Sequence, residues 1–267
     1  MPTQLEELLA KVRGENRAAL IAYLPAGFPS AQKCKDAIAT LASAGVDAIE
    51  IGFPYSDPVM DGPTIQEAAD ISLKGGTGAA EVFSTLNFAH EVGLPAVVMT
   101  YWNPIERYGV DAFAKAIGNN GGSGVITPDL TIEESGQWKR ATSATGVNTI
   151  YVLAPSSTPE RIAAVTAQCS GFVYAASLMG VTGARTTMSS GAQDLVSRIR
   201  STTDLPVAVG LGVSTREQAR QVAGFADGVI VGSAFIKALL DAPSHQEGLV
   251  AIAALAKELA MGVREGR

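Results

Sequence analysis

Two carboxylates stand where chemistry is a plausible reason for an acid. Glu50 lies inside the apolar run Ala48–Gly52 (AIEIG), and Asp61 follows in Met60-Asp61-Gly62-Pro63. A carboxyl held in a semi-apolar setting at a strand end has a raised pKa and suits proton transfer near neutral pH. Taken alone, Glu50 reads equally well as the half-buried partner of a structural base. Asp61 alone reads as a turn aspartate, because Asp-Gly is a common turn pair. One strand and its following loop would let both acids face one ligand.

Two glycine-bearing turns are the next candidates: Gly210-Leu211-Gly212-Val213-Ser214 and Gly232-Ser233. Each ends an apolar run and precedes a helical pattern. Glycine lets a phosphate approach backbone N–H groups, and a helix N-terminus favours the anion. Strand-to-helix turns also need glycine for geometry alone, so the pair of turns carries the reading and neither turn does so singly. Leu178–Ser190 (LMGVTGARTTMSS) is rich in Gly, Thr and Ser. Its length predicts a lid that excludes water, beside the plainer reading of a flexible loop.

Other features carry no chemistry. His90 and His245 fall in helical segments and read as surface or packing residues. Trp102 and Phe113 read as packing, and Gly75–Gly78 and Gly118–Gly124 as turns. No His, Asp, Glu or Cys set has metal spacing, and no P-loop or strand-linked dinucleotide fingerprint is present.

Eight short apolar runs must position these groups: Ala18–Leu24, Ala48–Gly52, Ala96–Tyr101, Gly124–Thr127, Asn148–Leu153, Gly171–Ala175, Pro206–Gly210 and Gly228–Gly232. Near-continuous apolar runs suit parallel strands buried on both faces. Helical patterns alternate with them. Ala31–Ala44 and Ala79–Val92 stop at Gly45 and Gly93. Thr158-Pro159 and Ser214-Thr215 open helices, and Ser244–Met261 reads as the last one. Eight such repeats predict an α/β protein, a (β/α)8 TIM barrel. An extra N-terminal helix over Leu5–Val12 would cap its bottom, and additional helices would fill the longer connections, the longest of which follow the second and sixth strands. Function in that fold sits at the C-terminal strand ends, and its phosphate site at loops seven and eight.

The 267 residues suffice for one such domain, and no linker interrupts residues 1–267. Hydrophobic residues make up 47% and charged residues 17%, which excludes disorder. The net charge of −6 comes without any basic run, which argues against nucleic acid. Cys34 and Cys169 read as reduced thiols on helices. The polar start MPTQLEELLAKVRGENR lacks the order of a signal peptide, and no apolar run nears the roughly 20 residues that span a bilayer. The expectation is a cytoplasmic protein away from membranes.

The stretch Ile49–Gln66 (IEIGFPYSDPVMDGPTIQ) resembles the signature of the tryptophan synthase α-subunit family. The resemblance continues in order through Tyr101–Pro104 (YWNP), Tyr108–Phe113 (YGVDAF), Pro128–Glu134 (PDLTIEE), Gly171–Gly183 (GFVYAASLMGVTG), Gly210–Thr215 (GLGVST) and Gly228–Ser233 (GVIVGS). It covers nearly the whole chain, and its SDPxxDGPxIQ block is highly specific. The resemblance implies that Glu50 and Asp61 are catalytic. It implies that Tyr174 lines the site beside the glutamate, and that Tyr23, Met99, Tyr101, Ile126 and Val152 surround an indole ring. Thr182 would contact the aspartate from the lid. Gly183, Gly212, Gly232 and Ser233 would hold phosphate. Met60, Leu211, Thr131 and the order Phe53-Pro54-Tyr55 depart from the family's usual residues.

The implied activity is cleavage of indole-3-glycerol phosphate to indole and glyceraldehyde 3-phosphate, with no metal and no cofactor in this chain. Pyridoxal phosphate would belong to a β-subunit partner in an αββα assembly, with Pro54 and Asp57 at the interface. The competing readings are a catalytically silent barrel that only activates a β partner, a stand-alone indole-releasing lyase, and a sugar-phosphate isomerase.

Overall fold

The structure, a computed structural model, describes residues 1–176 and 190–267. Helix α1 (Gln4–Gly14) opens on a capping box in which Thr3 and Glu6 satisfy each other's backbone N–H groups. Then follow β1 (Ala19–Pro25), α2 (Ala31–Ser43), β2 (Ala48–Gly52), α3 (Pro63–Lys74), α4 (Ala79–Glu91) and β3 (Ala96–Met99). The middle of the chain forms α5 (Trp102–Tyr108), α6 (Val110–Asn119), β4 (Gly124–Ile126), α7 (Gly136–Thr145), β5 (Asn148–Ile150) and β6 (Val152–Leu153). It continues through α8 (Pro159–Thr166), β7 (Val173–Ala176), α9 (Ser190–Arg200) and β8 (Val207–Gly210). It closes with α10 (Arg216–Ala223), β9 (Gly228–Val231), α11 (Ser233–Asp241) and α12 (His245–Glu265).

Every strand pairing is parallel, in the order β5-β4-β3-β2-β1-β9-β8-β7-β6. The fifth apolar run does not form the single strand Asn148–Leu153 expected of it. It breaks at Tyr151 into β5, which pairs with β4, and β6, which pairs with β7. The ring therefore closes through the chain itself, and eight strand positions make the barrel. Barrel strands tilt and stagger, so one strand's two neighbours overlap different parts of it. Across the break, Tyr174 N–H donates to the Tyr151 carbonyl at 3.2 Å.

The strands alternate between two cores. Ala19, Ile21, Ala48, Val97, Ile126, Ile150, Phe172, Ala208 and Ile230 fill the barrel interior, and Leu5, Leu9 and Val12 of α1 join them from below. The expected N-terminal cap is thus a plug that completes the interior. The opposite strand faces, with Val98, Val125, Val173, Val209 and Val229, pack against the helices. At the base, Arg17 grips Asp47 through two bonds of 2.9 and 3.0 Å. Buried Asp227 accepts from Arg200, Arg267 and the Val207 N–H.

The expected caps at Thr158 and Thr215 form, and Ser244 caps the last helix. The second connection carries α3 and α4, the third α5 and α6, so the additional helices are present. Some local readings are corrected. Cys169 lies in the turn beyond α8, where the helix has already ended at Thr166, and Cys34 is on α2 as expected. Gly118 belongs to α6, because flanking apolar residues bury that helix, whereas Gly124 starts β4 as its apolar run predicts. His90 lies in α4, and His245 starts α12 against Asp36 at 2.9 Å. No described helix is long and apolar enough to cross a membrane.

Leu9 is 3% exposed within the plug. Leu9→Ala should lower unfolding free energy by about 2–5 kcal/mol in urea titration, the range for emptying a close-packed core site. A loss below about 0.5 kcal/mol, typical of a surface change, would mean that α1 is not part of the interior.

Candidate active site

The two acids meet at the mouth of the barrel. Glu50 stands in the middle of β2, in register with Tyr23 of β1 and Val97 of β3. Period-two alternation places it on the same face as interior Ala48. It is 1% exposed, and its Oε2 has no hydrogen-bond partner among the described residues. Burial, and then the negative charge of Asp61, push its pKa up from 4.5 to about 8. Asp61 comes from the loop after β2. Burial raises its pKa too, while the Tyr101 hydroxyl beside it opposes the rise. Two neighbouring carboxyls with unequal environments separate into an acid and an anion. Here the Glu50 carboxyl keeps its proton up to about pH 8.

Tyrosines frame the pair. Burial, reinforced by the charges of Asp61 and Glu50, holds the Tyr23 and Tyr174 hydroxyls well above their ordinary pKa, so both remain protonated donors. A Cβ at Gly52 would lie 2.3 Å from the Tyr23 hydroxyl oxygen, and one at Gly210 would lie 2.4 Å from that of Tyr174. These glycines leave room for the hydroxyls to lie directly on the neighbouring backbone. Met99 is level with Gly52 and Ile126, and Val152 with Tyr174. These side chains cover the interior core.

The loop carrying Asp61 is tied down at several points. Phe53 N–H donates to the Met99 carbonyl at 2.8 Å. The Val59 and Met60 N–H groups both donate to the Tyr101 hydroxyl, at 3.2 and 3.1 Å. Gln66 Nε2 donates to the Asp61 carbonyl at 2.7 Å. Pro54 is buried within the chain, whereas Asp57 is exposed and accepts from the Ser56 hydroxyl at 2.6 Å. Val59 and Met60 are 75% and 47% exposed, so Met60 is a rim residue.

Across the mouth, the turn after β8 places Gly212 at φ +65°, in the left-handed region, and Thr215 caps α10. Gly232 caps α11 without a side-chain hydrogen bond among the described residues. The first N–H groups of α11, beginning at Ser233, therefore have no intrahelical partner and face outward as donors.

Comparison with known proteins identifies the family. The family model for the tryptophan synthase alpha chain matches residues 9–264. The tryptophan synthase alpha chain of Streptomyces avermitilis is 56% identical over 263 residues, covering 98% of this chain and 95% of that protein. The chain belongs to the tryptophan synthase alpha chain family. The Streptomyces coelicolor alpha chain is 55% identical, covering 97% of this chain and 96% of its own length. A structure of Mycobacterium tuberculosis tryptophan synthase superposes with a TM-score of 0.92 at 49% identity, covering 99% of both chains. The alpha subunit of Legionella pneumophila superposes with 0.90 at only 30% identity, covering 98% of this chain and 99% of its own.

The structure of this tryptophan synthase alpha-family chain brings Glu50, Asp61, Tyr23, Tyr101 and Tyr174 into electrostatic reach of one another. Thr182 and Gly183, with the expected lid up to residue 189, lie outside the described residues. No group of three or more His, Cys, Asp or Glu is placed to hold a metal among the described residues. Sequence reading assigned no role to Tyr55, Asn103 or Gln66. Asn103 Nδ2 donates to the Tyr55 hydroxyl at 3.0 Å across 48 residues of chain, a pairing that no local spacing reveals.

The raised pKa of Glu50 has a consequence for stability. Its protonated form favours the fold, a contribution complete below pH about 4.5 and lost as pH rises to about 8. Glu50→Gln cannot ionise and keeps it. The melting temperature of the variant relative to wild type should therefore climb across that window and level off above it. A pH-independent difference would show that Glu50 ionises normally in the fold.

Proposed function

We propose that the chain is a carbon–carbon lyase that cleaves indole-3-glycerol phosphate to indole and glyceraldehyde 3-phosphate, and that the mouth residues described above are its site. The observation that carries the site assignment is buried Glu50, held protonated by burial and by the charge of half-buried Asp61 beside it. The reaction is a retro-aldol cleavage, and an aromatic ring carbon leaves poorly without help. Glu50 gives its proton to the ring carbon that bears the side chain. Positive charge then develops toward the ring nitrogen, and the Asp61 carboxylate accepts that N–H and stabilises the charge. The carbon–carbon bond breaks, its electron pair neutralises the ring, and the adjacent hydroxyl becomes the aldehyde. Its proton returns to Glu50, so the acid is regenerated with no net proton change.

The remaining assignments rest on the family resemblance, and the strand positions of these residues support them. Tyr23, Met99, Tyr101, Ile126, Val152 and Tyr174 surround the ring, and Gly212, Gly232 and Ser233 hold the phosphate. Anchoring that far end lets its binding energy orient the scissile bond. Thr182 and Gly183 belong to the same reading by resemblance alone. The step consists of proton transfers and calls for no cofactor in this chain. We read residues 1–267 as one barrel domain, working in the cytoplasm.

The partner in this reading is a tryptophan synthase β subunit, the bearer of pyridoxal phosphate, in an αββα assembly that passes indole onward for tryptophan synthesis. Asp57, Val59 and Met60 of the same loop are exposed. Beside them Tyr55, Ser56, Pro58, Pro63, Gln66 and Glu67 line a groove of about 500 Å³ on the outer side of the loop. This outer face is assigned to the partner, and Pro54 shapes it from within.

Indole release from indole-3-glycerol phosphate tests the reading, with and without purified β subunit. Glu50→Gln and Asp61→Asn should each lose about 10²-fold or more in kcat, within the range for positioned acid–base groups, while still binding the partner. Full activity in either variant would refute the two-acid mechanism. A wild type that releases no indole even with the partner, yet stimulates it, would make the chain a regulator. A second readout is pH. Wild-type kcat/KM should fall as pH rises past about 8, because Glu50 then loses the proton it must donate. A rate that keeps rising through that range would remove Glu50 as the acid.

A further inference from the structure

The Tyr101 hydroxyl is fully committed by its surroundings. It accepts the N–H groups of Val59 and Met60, which fills its two acceptor positions. Its single proton is left for the Asp61 carboxyl beside it, the contact that restrains the Asp61 pKa. One hydroxyl thus holds the loop and orients the acid. What holds the hydroxyl is a second tyrosine. The Tyr55 ring packs on the Tyr101 ring with centroids 5.3 Å apart and planes tilted by 37°. The Tyr55 hydroxyl in turn accepts from Asn103 Nδ2 at 3.0 Å.

Asn103 is itself anchored. It lies in the first turn of α5, whose Trp102 N–H is bound by both oxygens of Asp129 at 2.9 and 3.0 Å. Asp129 belongs to the turn after β4. A continuous chain of contacts therefore runs from that turn through α5 to Tyr55, then to Tyr101, and ends at Asp61. Its links come from the loops after three successive strands. Tyr55 is only half-buried and Asn103 is exposed, so neither is required to fill the core.

Building on the site assignment above, we propose that Tyr55 and Asn103 are positioning residues: their hydrogen bond sets the Tyr101 ring, and through it the placement of the Asp61 carboxylate, before substrate arrives. Neither residue touches the reacting atoms. The bond is one that a phenylalanine at position 55 cannot make, so the test is a single-atom change. An isolated hydrogen bond of this kind is worth a factor of about 3 to 10.

The experiment is steady-state indole release from indole-3-glycerol phosphate by the full chain, alone and with saturating β subunit, for wild type, Tyr55→Phe, Asn103→Ala, Tyr101→Phe and the Tyr55→Phe/Tyr101→Phe double variant. The proposal expects Tyr55→Phe to lower kcat about 3- to 10-fold with little change in KM, in both the presence and absence of the partner. Asn103→Ala should match it. The acid limb of the pH profile should move to higher pH, because a loosened Tyr101 no longer holds the Asp61 pKa down. In the Tyr101→Phe background, Tyr55→Phe should add nothing.

Unchanged kinetics in Tyr55→Phe and Asn103→Ala would overturn the proposal. So would a loss seen only with β subunit present, which marks a docking role, or a loss that adds fully to that of Tyr101→Phe. Should Tyr55→Phe fold poorly, Asn103→Ala removes the same bond from an exposed position and decides the matter. A wild type that releases no indole under either condition would refute the site assignment itself; active wild type with indifferent variants refutes only the strut.

Discussion

A carboxyl group held dry inside a closed barrel is the constraint around which this molecule is arranged. Glu50 sits on the interior face of β2, one residue pair above the packed layer that includes Ala48 and Ile21. An ionised carboxylate without partners is costly in such a place, so the group keeps its proton until the pH reaches about 8. Leu5, Leu9 and Val12 of α1 pack into the same interior from the base of the barrel. Asp61 then adds a negative charge near Glu50, and that charge raises the Glu50 pKa further.

The two ends of the barrel are built by different means. The base is held by ion pairs at strand starts, with Arg17 on Asp47, and Arg200 and Arg267 on Asp227. Asp227 also accepts the Val207 N–H, so one buried carboxylate ties β8 and β9 to two arginines from distant parts of the chain. Among the described residues, no ion pair holds Glu50 or Asp61 at the mouth. Tyrosine hydroxyls do that work there. Tyr101 gathers two amides of the Asp61 loop, and Tyr23 and Tyr174 lie on Gly52 and Gly210. Hydroxyls fix position without introducing a permanent charge that would compete with the substrate's phosphate or with the charge on the ring.

Much of the architecture was legible before any coordinates. Strands buried on both faces read as continuous apolar runs, and seven of the eight appear close to where Val, Ile and Ala cluster. Caps at Thr158 and Thr215 follow from local hydrogen bonding, which depends only on residues three positions apart. The fifth strand was not legible in the same way. Its break at Tyr151 reflects which neighbour each half meets around a staggered ring, and nothing in NTIYVL records that. Cys169 was misplaced by the same limit, since helix ends depend on packing as well as propensity.

The sequence by itself determined the fold class, the two acids and the glycine turns, because these rest on residue type, short-range spacing and a family signature that spans most of the chain. The sequence reading also gives Glu50 the proton and Asp61 the charge, and only the tertiary structure supplies a physical cause for that choice. That choice depends on burial and on the distance between two charges, and each is a property of the assembled barrel. The same holds for Pro54, buried despite standing in an exposed loop, and for the contact of Tyr55 with Asn103. Those residues are far apart along the chain and meet only because β2 and β3 lie side by side with their loops at the same end. Proximity of that kind is produced by strand register, which local sequence does not encode.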